Sequence, residues 1–93
     1  MSPLSEGLLE ALGSLLDFQE AWLEQVIREF RHASSVFPPF NSAHEGFAVL
    51  KEEVDELWDE VKKNQKVRSI EKMRKEAIQV AAMALRFLND IDG

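Results

Sequence analysis

The 93-residue chain has no cysteine, which excludes disulfides, thiolate metal sites and a cysteine nucleophile. It has little proline: Pro3, Pro38 and Pro39. Glycine is scarce too, at Gly7, Gly13, Gly46 and Gly93. Alternating β-branched runs are missing, so strands are not expected. No apolar run approaches the roughly 20 residues that a membrane-spanning helix needs. The opening stretch MSPLSEGLLEALGSLLDF has no basic flank and is broken by acids, unlike a signal peptide. Positive charge is in deficit, with 11 Lys+Arg against 17 Asp+Glu and a net charge of −6. Phosphate backbones are engaged by a concentrated basic surface, and this chain supplies none overall. Neither a nucleic-acid polymer nor a membrane is expected as partner, and the cytoplasm is the expected compartment.

Hydrophobic residues make up 45% of the chain, enough for a core and too many for a disordered segment. Leu, Ala, Glu and Lys are plentiful, and the pattern reads as all-α over a single domain, residues 1–93. Three helices are predicted, at about 5–34, 42–63 and 70–89. In the first, Leu8, Leu12, Leu15, Trp22, Val26 and Phe30 form a helical stripe. Gly13 leaves open one long helix or two. Pro38 and Pro39 break the chain, and Ser42 with Glu45 has capping-box spacing. Ser69 is placed to cap the third helix. Its stretch AIQVAAMALRFL is apolar on nearly every side, which a chain this short covers poorly alone. The expectation is a bundle of three helices per chain, completed by a second chain, with the third helix central.

The most distinctive segment is KEEVDELWDE, residues 51–60, with six carboxylates. At about 100° per residue, Leu50, Val54, Leu57 and Val61 face the core. Glu52, Glu53 and Glu56 then gather at a boundary between core and water, and Glu60 extends the group by one turn. Like charges at this spacing repel by about 0.2–0.5 kcal/mol per pair. A hard divalent cation relieves that repulsion, since magnesium and manganese take oxygen ligands. Acid runs on helices are more commonly solvated faces. On the third helix, Glu76 and Gln79 share a face three residues apart, and a polar amide among Ala, Val and Met needs a partner. Glu56 to Lys63 and Ser69 to Glu76 are both spans of seven residues, so two antiparallel helices bring these groups to one depth.

These motifs resemble the all-α nucleoside triphosphate pyrophosphohydrolase superfamily, the MazG-like and dimeric dUTPase-like proteins, over roughly residues 42–91. The first family motif, E-E-x-x-E, stands as Glu52-Glu53-Val54-Asp55-Glu56, and the second, E-x-x-D, as Glu76-Ala77-Ile78-Gln79, with glutamine for aspartate. The family asparagine matches Asn89. The resemblance implies a four-helix-bundle-like fold in a homodimer or homotetramer. It also implies magnesium, or manganese in its place, bound by Glu52, Glu53, Glu56, Glu76 and Gln79. Water would attack a (deoxy)nucleoside triphosphate between the α and β phosphates, with Glu53 or Glu56 as general base. Products would be a monophosphate and pyrophosphate. Gln79 lacks the aspartate charge and weakens one metal position, which leaves three alternatives open: fewer ions, a ligand drawn from Glu60 or Glu45, or lost activity. Among other residues, Trp58 is the candidate for stacking a base and Arg86 for reaching phosphate. The alternative is a helical dimerisation or adaptor module with the same fold and no chemistry.

Overall fold

The computed structural model describes the backbone of residues 6–91 and the side chains of residues 20–91. Three helices are present and, among the described residues, no strand: α1 (Glu6–Val36), α2 (Ala43–Val61) and α3 (Ile70–Asp90). α1 is one unbroken helix, so Gly13 does not divide it. Its last bond runs from the Phe37 N–H to the Ala33 carbonyl, after which Pro38 and Pro39 have no N–H to continue it. Ser42 caps α2 as expected, with Oγ accepting from the Glu45 N–H at 3.0 Å. The Glu45 carboxylate reaches back one residue further than a capping box, accepting from the Asn41 N–H at 3.2 Å and from Asn41 Nδ2 at 2.9 Å. Those bonds to Asn41 hold the Glu45 carboxyl below its usual pKa. Ser69 caps α3 by accepting from the Lys72 N–H.

α3 lies in the middle. Both α1 and α2 pack along it, and among the described residues α1 and α2 make no close backbone approach to each other. Trp22 stands beside Arg74, and Ala33 beside Ala82 and Met83, so α1 runs parallel to α3. Gly46 meets Phe87, and Glu53 meets Glu76, so α2 runs antiparallel to it. The core is small: Ala33, Ala82 and Met83, with Phe30, Val49 and Leu50 packed around them. Gly46 permits the close approach of α2 to α3, because a Cβ there would lie 2.8 Å from Phe87 Cδ2 and 3.0 Å from Phe40 Cδ2. On α2 the expected core stripe is only partly covered. Leu50, Leu57 and Val61 are half-buried, but Val54 is exposed, because α3 packs against the neighbouring line of Gly46, Val49 and Glu53.

Arg86 is the one buried charge among the described residues, 3% exposed. Its Nη2 donates to the Pro38 carbonyl at 2.8 Å, and its guanidinium lies 4.5 Å from the centre of the Phe40 ring. Asp90 is half-buried as a residue with its carboxylate largely covered; that carboxylate is 3.6 Å from Nη2 and accepts from the Phe40 N–H at 3.4 Å. One turn of α3 thereby holds the α1–α2 connection in place.

Candidate metal centre

The antiparallel pairing of α2 and α3 brings Glu53 and Glu56 of one helix against Glu76 of the other. Each offers a carboxylate oxygen, and these oxygens all lie within 4.8 Å of one another. Glu53 and Glu76 are half-buried and Glu56 is exposed, so the cluster opens to solvent on one side. Glu53 Oε2 is buried with no hydrogen-bond partner. Burial, then the neighbouring charges of Glu56, Glu76 and Glu52, push the Glu53 carboxyl up to about 7. Burial and the Glu56 carboxylate also raise Glu76; Lys75 opposes the shift and Glu60 adds to it.

The lysines on and just after α2 are engaged by other acids: Lys51 pairs with Asp55 and Lys62 with Asp59 at exposed positions, and Lys63 pairs with the largely covered Glu60. Among the described residues, no salt bridge reaches Glu53, Glu56 or Glu76. Three like charges converge and one oxygen is orphaned. Such a set is satisfied either by protons or by a hard divalent cation, whose ligands are oxygens. Three carboxylate oxygens from two helices are thus the donors that such a cation would meet here.

The structure gathers three of the five expected ligands. Glu52 is exposed beside them and acts on Glu53 through its charge. Glu60 is committed to Lys63 and Glu45 to the α2 cap. Gln79 lines a groove of ≈510 Å³ between α1 and α3, with Trp22, Arg28, Arg74 and Lys75. This groove was not visible in the sequence. Its Arg74 guanidinium lies 4.8 Å from the centre of the Trp22 ring. Lys75 and Gln79 flank Glu76 on α3, so the groove adjoins the cluster.

Three expected substrate contacts are placed elsewhere. Trp58 is 58% exposed, on a side of α2 away from the acids. Arg86 is buried and faces Pro38, Phe40 and Asp90. Asn89 is exposed and donates to Asp90 Oδ1. At 1.5 Å per residue it lies roughly 20 Å along α3 from Glu76. A polar residue inside an apolar stretch was the signal for Arg86, but its partner, a backbone carbonyl, has no sequence signature. No helix among the described residues is long and apolar enough to cross a membrane. Comparison with family models, curated proteins and solved structures gives no match.

Proposed function

We propose that the chain is a divalent-metal-dependent pyrophosphohydrolase acting on a (deoxy)nucleoside triphosphate. The observation that carries this reading is the convergence of Glu53, Glu56 and Glu76 from two helices around an orphaned carboxylate oxygen. These three would hold the cation, with Glu52 adding negative charge beside them. Such an ion neutralises phosphate charge and lowers the pKa of a bound water. Glu53 or Glu56, through an oxygen not used as a ligand, would act as general base. Arg28, Arg74 and Lys75 line the adjoining groove together with Glu29 and Glu71, and these three cations would be the groups there to meet a polyphosphate. Gln79, in the same groove, offers an amide to the substrate in place of a metal ligand.

The test is pyrophosphate release from a panel of nucleoside triphosphates, with magnesium and with manganese. Release should vanish with chelator and in Glu53→Gln and Glu56→Gln, each with an unchanged helical spectrum. Release that survives both substitutions overturns the site. Silence of the folded protein across the panel overturns the activity and leaves the adaptor reading.

A further inference from the structure

Arg74 stands where two cavities meet. On one side is the groove of ≈510 Å³ between α1 and α3; on the other is a smaller cavity of ≈280 Å³, walled by Val26 and Ala77. Trp22, Arg74 and Ile78 line both. Trp22 is half-buried, Arg74 is exposed, and the guanidinium lies 4.8 Å from the centre of the indole ring. Among the described residues no salt bridge holds Arg74. An exposed arginine has many rotamers to sample. Here one ring fixes it between two spaces that it would otherwise sweep. Indole offers a π face and no acceptor atom, so the five N–H donors of the guanidinium stay available.

The charges of the groove divide at Glu76. α1 runs parallel to α3, with Trp22 beside Arg74. Arg28 is six residues beyond Trp22, about 9 Å at 1.5 Å per residue. It therefore stands level with Gln79 and Val80, past Glu76. On the link side of Glu76 the lining holds Arg74, Lys75 and Glu71: two cations less one acid, a net +1. On the far side it holds Arg28, Glu29 and Gln79: one cation less one acid, a net zero.

The geometry points to a pyrophosphate subsite at Arg74 and Lys75, with Trp22 as the positioning residue that holds the Arg74 guanidinium in place. The inference rests on the reaction proposed above and gives its substrate a direction. The two terminal phosphates lie toward the α2–α3 link, and the nucleoside lies toward Gln79. The half of the groove with surplus positive charge takes the half of the substrate with more negative charge. A guanidinium meets phosphate oxygens through parallel N–H donors, and the ammonium of the neighbouring Lys75 adds a point charge. Trp22 touches no phosphate in this arrangement. It acts through Arg74 alone, by sparing that side chain the ordering cost of binding.

Inorganic pyrophosphate is the probe, titrated calorimetrically into the whole chain with magnesium present. Arg74→Gln should weaken binding about tenfold or more, the loss of a charged hydrogen bond. Trp22→Leu should weaken it about 2- to 5-fold, the scale of one exposed cation–π contact. Trp22→Phe keeps a ring and should weaken it less. The double variant Trp22→Leu with Arg74→Gln should bind no more weakly than Arg74→Gln alone, because Trp22 acts through Arg74. A second readout leaves Trp22 intact. In a Trp58→Phe background, pyrophosphate should change the emission of Trp22, and Arg74→Gln should abolish that response. A wild-type chain that does not bind pyrophosphate overturns the inference. So does Arg74→Gln with wild-type affinity, or a double variant whose losses add. The inference and the reaction fail separately. Pyrophosphate binding with these variant effects but without nucleotide hydrolysis overturns the enzyme and leaves the subsite. Hydrolysis with an unaltered KM in Arg74→Gln overturns the subsite and leaves the enzyme.

Discussion

Glu53 on α2 and Glu76 on α3 bring carboxylate oxygens within 4.8 Å of each other and of Glu56, with no cation from the protein between them. Two helices are therefore packed together at a point where their charges oppose it. Two consequences of that opposition can be measured, and two further contacts of α3 can be tested beside them.

Magnesium should stabilise the folded chain. At about 100 times its Kd a ligand adds about 2.7 kcal/mol, a rise of roughly 10–20 °C in a domain of this size. Glu53→Gln should remove that rise. In chelator the same substitution should raise the melting temperature, because it deletes a charge that burial and three neighbouring acids disfavour. Calorimetric scans with and without magnesium decide it. A wild-type melting temperature indifferent to the ion would mean that the cluster is not a metal site.

Stability without metal should fall as pH rises. Glu53 titrates near 7 when folded, against an ordinary value of 4.5. The folded state thus holds a proton that the unfolded chain has already released. Its contribution is complete below the unfolded value and is lost as pH climbs through the folded one. Urea titrations in chelator between about pH 5 and 8 should show the decline, and Glu53→Gln should flatten it. With magnesium the trend should reverse, because the ion binds the carboxylate form.

Arg86→Met should be costly. It strands the Asp90 carboxylate and the Pro38 carbonyl, both of which Arg86 now serves. Removing one partner of a buried charged pair costs about 3–5 kcal/mol, which denaturant unfolding will show. Arg86→Lys should recover little, since a single ammonium does not reproduce a planar fork over the Phe40 ring. The response to magnesium should survive in any variant that still folds.

Gly46→Val should destabilise despite the better helix propensity of valine. The new Cβ would lie 2.8 Å from Phe87 Cδ2 and 3.0 Å from Phe40 Cδ2, and valine adds two methyls to it. Overpacking of this kind costs about 1–3 kcal/mol. A melting temperature equal to or above that of the wild type would show that the Phe87 ring yields freely.

Much of this was legible in the sequence where the determinants are local. Ser42 and Ser69 announce two helix starts, and Pro38 and Pro39 announce a stop. The equal distances of Glu56 and Glu76 from the link between their helices predicted their meeting. What was hidden depends on how a third helix is rotated against the pair. Gln79 shares a face with Glu76, yet it lines the groove with α1. Val54 belongs to an amphipathic stripe, yet α3 packs beside it and leaves it exposed. Arg86 read as a free cation because its acceptor is a backbone oxygen, the same at every position of a sequence.

The central position of α3 has a consequence for how the chain tolerates change. α1 and α2 each rest on α3 and make no close backbone approach to one another among the described residues. Substitutions near Trp22 and near Trp58 share no partner, so their free energies should simply add. Ala82 and Met83 are in the small core that α1 and α2 both touch. A change at either one should be non-additive with changes on both neighbours, so variation would be freest in the two outer helices and most constrained in the middle one.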